Sequence, residues 1–356
     1  MQASLSRDVE ARVRLLVTAN LTPFLHGGAD YHMHGLVRAL REHGHQVELL
    51  QLPFTFGPAS DLMQSMRRAA ELDLTRPNGI EIDRLISLQF PTWGIRHPDH
   101  VTWVMHQHRA VYDLFNPENA DDSLHQLKTA ITEFDNTHLG PKRLRFANSR
   151  RVAQRMQQFN GLDSTVLYHP PADADRFYCA EPERYLYVPS RLETLKRQSL
   201  VLEAAALMRS SLPIVFSGDG GQREALRVQA ETLGLNDRVR FLGHVSETEK
   251  RALYAHSLAV VFPAQDEDYG YITLEAMLSS KAVVVCSDGG GPLEFINHQS
   301  NGWVEPPTAQ ALAERFDWLN ANAAAAAAAG RTARSDYESA SLNWQSVVEQ
   351  LTASAA

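Results

Sequence analysis

The sequence predicts an α/β protein built as two doubly wound parallel sheets, and three observations carry that reading. Short apolar runs rich in β-branched residues, such as 258–262 and 283–287, alternate with helix-patterned stretches along the chain. Glycine-bearing turns follow several of those runs, at Gly218, Gly243, Gly270 and Gly289-Gly290-Gly291. A length of 356 residues suits two domains of ordinary size, each able to bury its own core.

From the amino end, 13–17 reads as a strand and 18–26 as a polar, proline-broken loop. Gly27-Gly28 opens a helix over 29–43, Gly44 ends it, and 46–50 is the next strand. No G-x-G-x-x-G follows the first strand, which counts against a dinucleotide-binding dehydrogenase. The glycine pair is compatible with a bare helix entry or with close approach of a ligand. Residues 62–74 read as an amphipathic helix, a pattern that serves core packing and, less commonly, a membrane surface.

Strands follow at 82–88 and 101–105, the second ending on His106-Gln107-His108-Arg109. His97, His100, His106 and His108 invite a metal reading, but no carboxylate or cysteine stands with them at ligand spacing, so no metal is expected. A strand at 144–149, a helix at 150–159 and a strand at 166–169 lead to Pro170-Pro171. The basic cluster Lys142, Arg143, Arg145, Arg150 and Arg151 reads first as a solvated face and second as a surface for an anionic partner.

The second half opens with a strand at 185–189, and Arg191 and Lys196 stand just beyond its end. Two cations there suit a diphosphate, although alone they also read as surface charges. A helix at 198–208, a strand at 214–217, the Gly218 turn, a helix at 222–233 and a strand at 239–242 come next, followed by Gly243-His244-Val245. The strand 258–262 runs into the acidic loop 265–268 and then Tyr269-Gly270-Tyr271-Ile272. Thr273 is the expected N-cap of a helix over 274–280, with Glu275 in its first turn. Helix amides hold phosphate, and carboxylates hold sugar hydroxyls through two acceptor oxygens each. A strand edge bearing both describes a nucleotide-sugar site, with Glu267 and Glu275 as the carboxylates. The plainer alternatives are a solvated loop acid and a helix-start acid. From 309 onward the chain reads as helical, the alanine run 323–329 being helix former without chemistry.

Composition narrows the class. A hydrophobic fraction of 44%, a charged fraction of 21% and a net charge of −8 are those of a soluble globular protein and argue against general nucleic-acid binding. No apolar run reaches membrane-span length, charges interrupt the first residues before a signal-peptide core develops, and the two cysteines make no disulfide framework. A cytoplasmic protein is expected, with peripheral contact at the inner membrane face left open.

Glu267 and Glu275 around Tyr269-Gly270-Tyr271, followed by Asp288-Gly-Gly-Gly-Pro-Leu-Glu294 and Asn301-Gly302, resemble the donor-site signature of the retaining GT-B glycosyltransferases of family 4. The resemblance covers nearly the whole chain, strongly over 185–305 and weakly before 150. It implies two Rossmann-like domains facing each other across a cleft. The N-terminal, acceptor-side domain would be 1–173, and the nucleotide-sugar domain 174–336. A final helix, about 337–356, would pack back on the first domain.

The implied reaction moves a sugar from a UDP- or GDP-sugar to the hydroxyl of a carbohydrate or lipid-linked acceptor, in glycan, polysaccharide or glycolipid assembly. It would retain the anomeric configuration and use no metal or other cofactor. His106, Arg191, Lys196 and Glu267 would be catalytic. Gly27, Gly28, Gly218, His244, Val245, Tyr269, Gly270, Tyr271, Ile272 and Glu275 would join Arg191, Lys196 and Glu267 around the donor. Arg197 departs from the family, which usually has glycine there. A nucleotide-sugar epimerase of related fold and a non-catalytic nucleotide-sugar-binding partner are the rival readings.

Overall fold

A computed structural model describes residues 13–24, 27–140, 142 and 144–353. The signal-peptide reading of the first residues, His26 of the first loop, Arg143 of the basic cluster and the last residues of the expected final helix lie outside them. The described residues form two units, one within 1–169 and 343–356, the other 170–342. The sequence places these divisions at 173 and near 337.

In the first unit, β1 (Arg14–Leu21), β2 (Gln46–Pro53), β3 (Arg84–Ser87), β4 (His100–Val104), β5 (Arg145–Ala147) and β6 (Thr165–Val166) form one parallel sheet, ordered β2-β1-β3-β4-β5-β6. Every residue of β3 and β4 is buried, as parallel strands covered by helices on both faces require. The helices are α1 (Gly28–Glu42), α2 (Ala59–Glu71), α3 (Asp122–Leu139), α4 (Arg150–Asn160) and the chain-terminal α11 (Trp344–Thr352).

The expected amphipathic helix is α2, whose Leu62, Met66 and Ala69 are buried in the core. Its apolar face is used in packing. Helix α11 buries Val347, Val348 and Leu351 among Leu15, Val17, Leu36 and Trp103, each such side chain contributing roughly 1.5–3 kcal/mol of burial. Gly35 of α1 makes room for it, because a Cβ there would collide with the Trp344 ring. Arg84 then ties the end of α11 down, donating 2.8 Å bonds to the carbonyls of Leu351 and Ala353.

The second unit repeats the plan with β7 (Leu186–Pro189), β8 (Ile214–Ser217), β9 (Val239–Phe241), β10 (Ala259–Phe262), β11 (Val283–Cys286) and β12 (Gly302–Glu305), ordered β12-β11-β10-β7-β8-β9 and all parallel. Its helices are α5 (Gln198–Leu207), α6 (Arg223–Thr232), α7 (Glu247–His256), α8 (Tyr271–Leu278), α9 (Ala309–Ala321) and α10 (Ala323–Ser339). The alanine run serves close packing, since Ala326 and Ala329 are buried in the core and Gly330 passes too close to the Ser280 carbonyl for any Cβ.

Both units show the α/β, doubly wound, Rossmann-like parallel sheets expected. The strand order reverses between β1 and β3 in the first sheet and between β7 and β10 in the second. Ligands of open α/β sheets bind at such switch points, beyond the carboxyl ends of the strands. Among the described residues, no helix is long and apolar enough to cross a membrane.

Candidate functional site

The switch point of the second sheet gathers the loops after β7 and β10 and the turn after β11. The β7 loop is pinned by Gln198, whose Nε2 donates to Ser190 Oγ at 2.6 Å and to the Arg191 carbonyl at 2.9 Å. Gln265 N–H donates to the Leu195 carbonyl at 2.8 Å and so stitches the β10 loop to the β7 loop. On its other side the β10 loop runs beside the β11 turn, where Glu267 N–H donates to the Gly289 carbonyl and Gly291 N–H to the Glu267 carbonyl. That spacing explains the glycine run: a Cβ on Gly290 or Gly291 would lie 2.5 Å from the Glu267 or Asp268 carbonyl oxygen.

Within this frame Lys196 Nζ donates to Glu267 Oε2, and the ammonium also lies 5.5 Å from the centre of the Phe262 ring. An ammonium has three donors, so two more N–H groups remain for an incoming oxyanion. Arg191 is exposed, and its guanidinium makes no hydrogen bond or ion pair among the described residues. Helix α8 starts from Gly270, held at φ +78 in close packing, where a Cβ would lie 2.6 Å from Pro292 Cγ. Tyr269 is buried against Tyr271 and Phe295, while Tyr271 and Ile272 are partly exposed in the first turn of α8.

Two expectations are corrected here. Thr273 is not the N-cap: Gly270 is, the helix begins at Tyr271, and Thr273 is fully buried in it. A left-handed glycine starts this helix without a side-chain cap, so a polar cap residue was the wrong signal to follow. Glu275 consequently stands in the second turn, and the first turn of α8 holds no acid. Its carboxylate is 7% exposed and accepts from Lys250 Nζ at 3.0 Å and from Tyr254 OH at 2.8 Å.

Neither Lys250 nor Tyr254 was singled out from the sequence, because α7 was not recognised. Its capping box, Ser246 with Glu249, was the available signal. Lys250 retains Glu247 at 2.9 Å if Glu275 is lost. Glu275→Ala is therefore expected to cost about 3 kcal/mol, the low end for breaking a buried pair, read as an earlier thermal unfolding transition. An unchanged transition would show the pair to be energetically silent.

The remaining residues of the second unit proposed for the donor fall at the same sheet edge. Gly218 N–H donates to the Gly243 carbonyl at 2.7 Å, linking the turn after β8 to the segment after β9. Gly218 also runs against the Ser190 carbonyl without room for a Cβ. His244 is exposed and Val245 partly so. Arg197, at φ +53, forms a forked pair with Asp288, its two guanidinium nitrogens donating at 2.9 and 2.7 Å. This bond joins the β7 loop to the β11 turn and offsets part of the cost of a left-handed arginine.

In the first unit, Gly27 and Gly28 begin α1, with Asp30 accepting from Gly27 N–H at 2.9 Å. Gly27 has an extended φ of 178, which any residue adopts, so no glycine is required there by conformation. His106 lies two residues beyond β4, and its Nδ1–H donates to the Gln107 carbonyl at 2.9 Å, which turns Nε2 away from that bond. His108 packs on Phe90, and burial, with His106 nearby, pulls its pKa down to about 4.

Beneath this loop lies an unforeseen buried network. Asp135 of α3 accepts from Trp93 Nε1 at 3.0 Å and Tyr112 OH at 2.7 Å, and Gln107 Nε2 donates to Asn160 at 2.7 Å. Burial pushes the Asp135 carboxyl up to about 7. His97 and His100 are engaged elsewhere, His97 on the Asp99 and Ile82 carbonyls and His100 between Ser87 and Lys142. Among the described residues, no three His, Cys, Asp or Glu side chains cluster as metal ligands.

Residues 175–336, most of the second unit, match the family model described as Glycosyl transferases group 1. Over 112 residues the chain is 37% identical to an uncharacterized glycosyltransferase of Methanocaldococcus jannaschii, covering 31% of this chain and 28% of that protein. It is 33% identical over 135 residues to the D-rhamnosyltransferase WbpZ of Pseudomonas aeruginosa, covering 37% and 35%. These curated relatives are matched over about a third of their length.

The fold is shared more widely. Sucrose-phosphate synthase from Thermosynechococcus elongatus superposes with a TM-score of 0.79 at 16% identity, covering 96% of this chain and 97% of that one. Anabaena HepE, solved in complex with UDP and glucose, superposes with a TM-score of 0.71 at 20% identity, covering 96% and 98%. The architecture is that of the GT-B enzymes.

Proposed function

We propose that the protein is a retaining, metal-independent glycosyltransferase of the family 4 type, moving a hexose from a nucleoside diphosphate sugar to an acceptor hydroxyl. The observation that carries this reading is the Lys196–Glu267 pair at the switch point of the second sheet, with Arg191, unpartnered among the described residues, in the same loop after β7. Cations at a strand end beside a helix N-terminus suit a diphosphate, and a carboxylate beside them suits the hydroxyls of the attached sugar. The match of 175–336 to glycosyl transferases group 1 and the UDP bound by HepE support the same assignment and favour a UDP-sugar donor.

In the proposed step the bond from the anomeric carbon to the diphosphate oxygen breaks, and a bond from that carbon to the acceptor oxygen forms on the same face. The acceptor proton passes to the departing diphosphate oxygen. Lys196 and Arg191 stabilise the charge that develops on the leaving group, the kind of preorganised electrostatic contribution that dominates many enzymes. Glu267 positions the sugar through its hydroxyls. With two side-chain cations and the amides of α8 for the phosphates, no metal is needed at this position. A carbohydrate or lipid-linked acceptor and a cytoplasmic setting, with or without peripheral contact at the inner membrane face, complete the proposal.

Release of nucleoside diphosphate from a panel of UDP- and GDP-sugars, with and without acceptor glycans, tests it. Release is expected to rise with acceptor, to persist in excess chelator, and to give a product of the donor's anomeric configuration. Activity lost with chelator and restored by magnesium would overturn the metal-independent step. An inverted anomer would overturn retention, and sugar conversion without any acceptor would identify an epimerase.

A further inference from the structure

The first unit carries a second concave site, at the amino edge of its sheet. A cavity of about 360 Å³ is lined by Asp73, Thr75, Arg96, His97, His138 and Lys142, together with Gly94, Ile95 and Pro98. These residues all precede the strands they serve: Asp73 and Thr75 come before β3, Arg96 and His97 before β4, and Lys142 before β5. The Gly27 turn and His106 stand at the carboxyl edge of the same sheet. A strand length of roughly 15 Å separates the two edges.

The cavity is built rather than casual. Arg96 is held by a parallel bridge to Asp73, its N–H donating to the Leu72 carbonyl at 2.9 Å and its carbonyl accepting from Leu74 at 3.2 Å. Its Nη2 donates to the Glu71 carbonyl at 3.0 Å. Lys142 Nζ donates to His100 Nδ1 at 2.9 Å, and the His100 Nε2–H is thereby fixed on Ser87 Oγ at 2.7 Å. The lysine therefore rests on a buried neutral imidazole, with no carboxylate partner among the described residues and two N–H groups to spare. Burial pulls its pKa down to about 8, so it stays protonated at neutral pH. Asp73, the only acid in the lining, has an oxygen engaged by Thr75 N–H at 3.0 Å.

We propose that this cavity binds a small soluble phosphomonoester, with Lys142 and Arg96 as the charged ligands and His138 as a further donor. A phosphomonoester brings about two negative charges and three acceptor oxygens, which suits the Lys142 ammonium, without a carboxylate partner among the described residues, and outweighs the single Asp73 carboxylate that faces Arg96. The volume admits a ligand of sugar-phosphate size, since small-molecule sites begin near 300 Å³. Its place at the amino edge sets this site apart from the donor site of the second unit.

Isothermal titration of the full chain with a hexose 6-phosphate, inorganic phosphate and the uncharged hexose is the test, and it needs no transfer activity. Saturable binding of the hexose phosphate, weaker binding of phosphate and none of the hexose are expected. Lys142→Met and Arg96→Gln, checked for an unchanged thermal transition, should each weaken the ester about tenfold or more, as loss of a charge-assisted bond does. UDP should not compete. Absence of saturable binding, wild-type affinity in both variants, or competition by UDP would each overturn the site. Binding to vesicles containing phosphatidic acid without binding of the soluble ester would assign the phosphomonoester to a lipid headgroup and overturn the soluble ligand.

Discussion

Lys196→Ala is expected to weaken nucleoside diphosphate binding by roughly 10- to 100-fold, the loss of one charge-assisted bond at 1.5–3 kcal/mol. Two effects act in the same direction. The substitution removes a donor to the phosphates, and it strips Glu267 of the ammonium that neutralises it, leaving a carboxylate to repel the diphosphate. Arg191→Ala should act in the same sense, its guanidinium having no other partner among the described residues to hold it away. Binding of the bare nucleoside should be unaffected by either. Titration of UDP and uridine into the three proteins decides the matter, and equal UDP affinity throughout would remove both cations from the phosphate site.

His106→Ala is expected to lower the transfer rate by about 100-fold or more, the scale on which a lost positioning contact acts. The Nδ1–H bond to the Gln107 carbonyl leaves Nε2 ready to accept from a sugar hydroxyl, the contact that the family resemblance gives this residue. Nucleoside diphosphate affinity should stay at the wild-type value, which separates this variant from Lys196→Ala. His108 is the milder position, packed as it is against Phe90. A variant that melts early yet turns over normally when folded would make His106 structural, and a wild-type rate would exclude it from the reaction.

The strands and most helices of both sheets were legible because fully buried parallel strands leave unbroken apolar runs, as at 259–262 and 283–286. The donor edge was legible for a related reason: glycine is required where Gly290 and Gly291 pass the β10 loop, and that requirement is written locally. Contacts made across the fold left no such trace. Asp135 lies in α3, far along the chain from Trp93 and Gln107, and in sequence, two residues after Glu133, it resembles any surface aspartate. Lys250 likewise reaches Glu275 only through tertiary packing. The start of α8 failed for a conformational reason, since a positive φ at Gly270 replaces the polar cap that the sequence suggested at Thr273.

The return of α11 to the first unit also sets an order of events during synthesis. The sheet of that unit is complete once residue 166 has been made, but Trp344, Val347, Val348 and Leu351, which fill one side of its core, come after the whole of 170–342. At the ribosome's pace of about 5–20 residues per second, that interval is roughly 10–35 s. Throughout it the nascent first unit carries an open apolar groove along α1, while the second unit has its full complement of strands and can close first. The helix that seals the first unit is thus made only after every strand of the second.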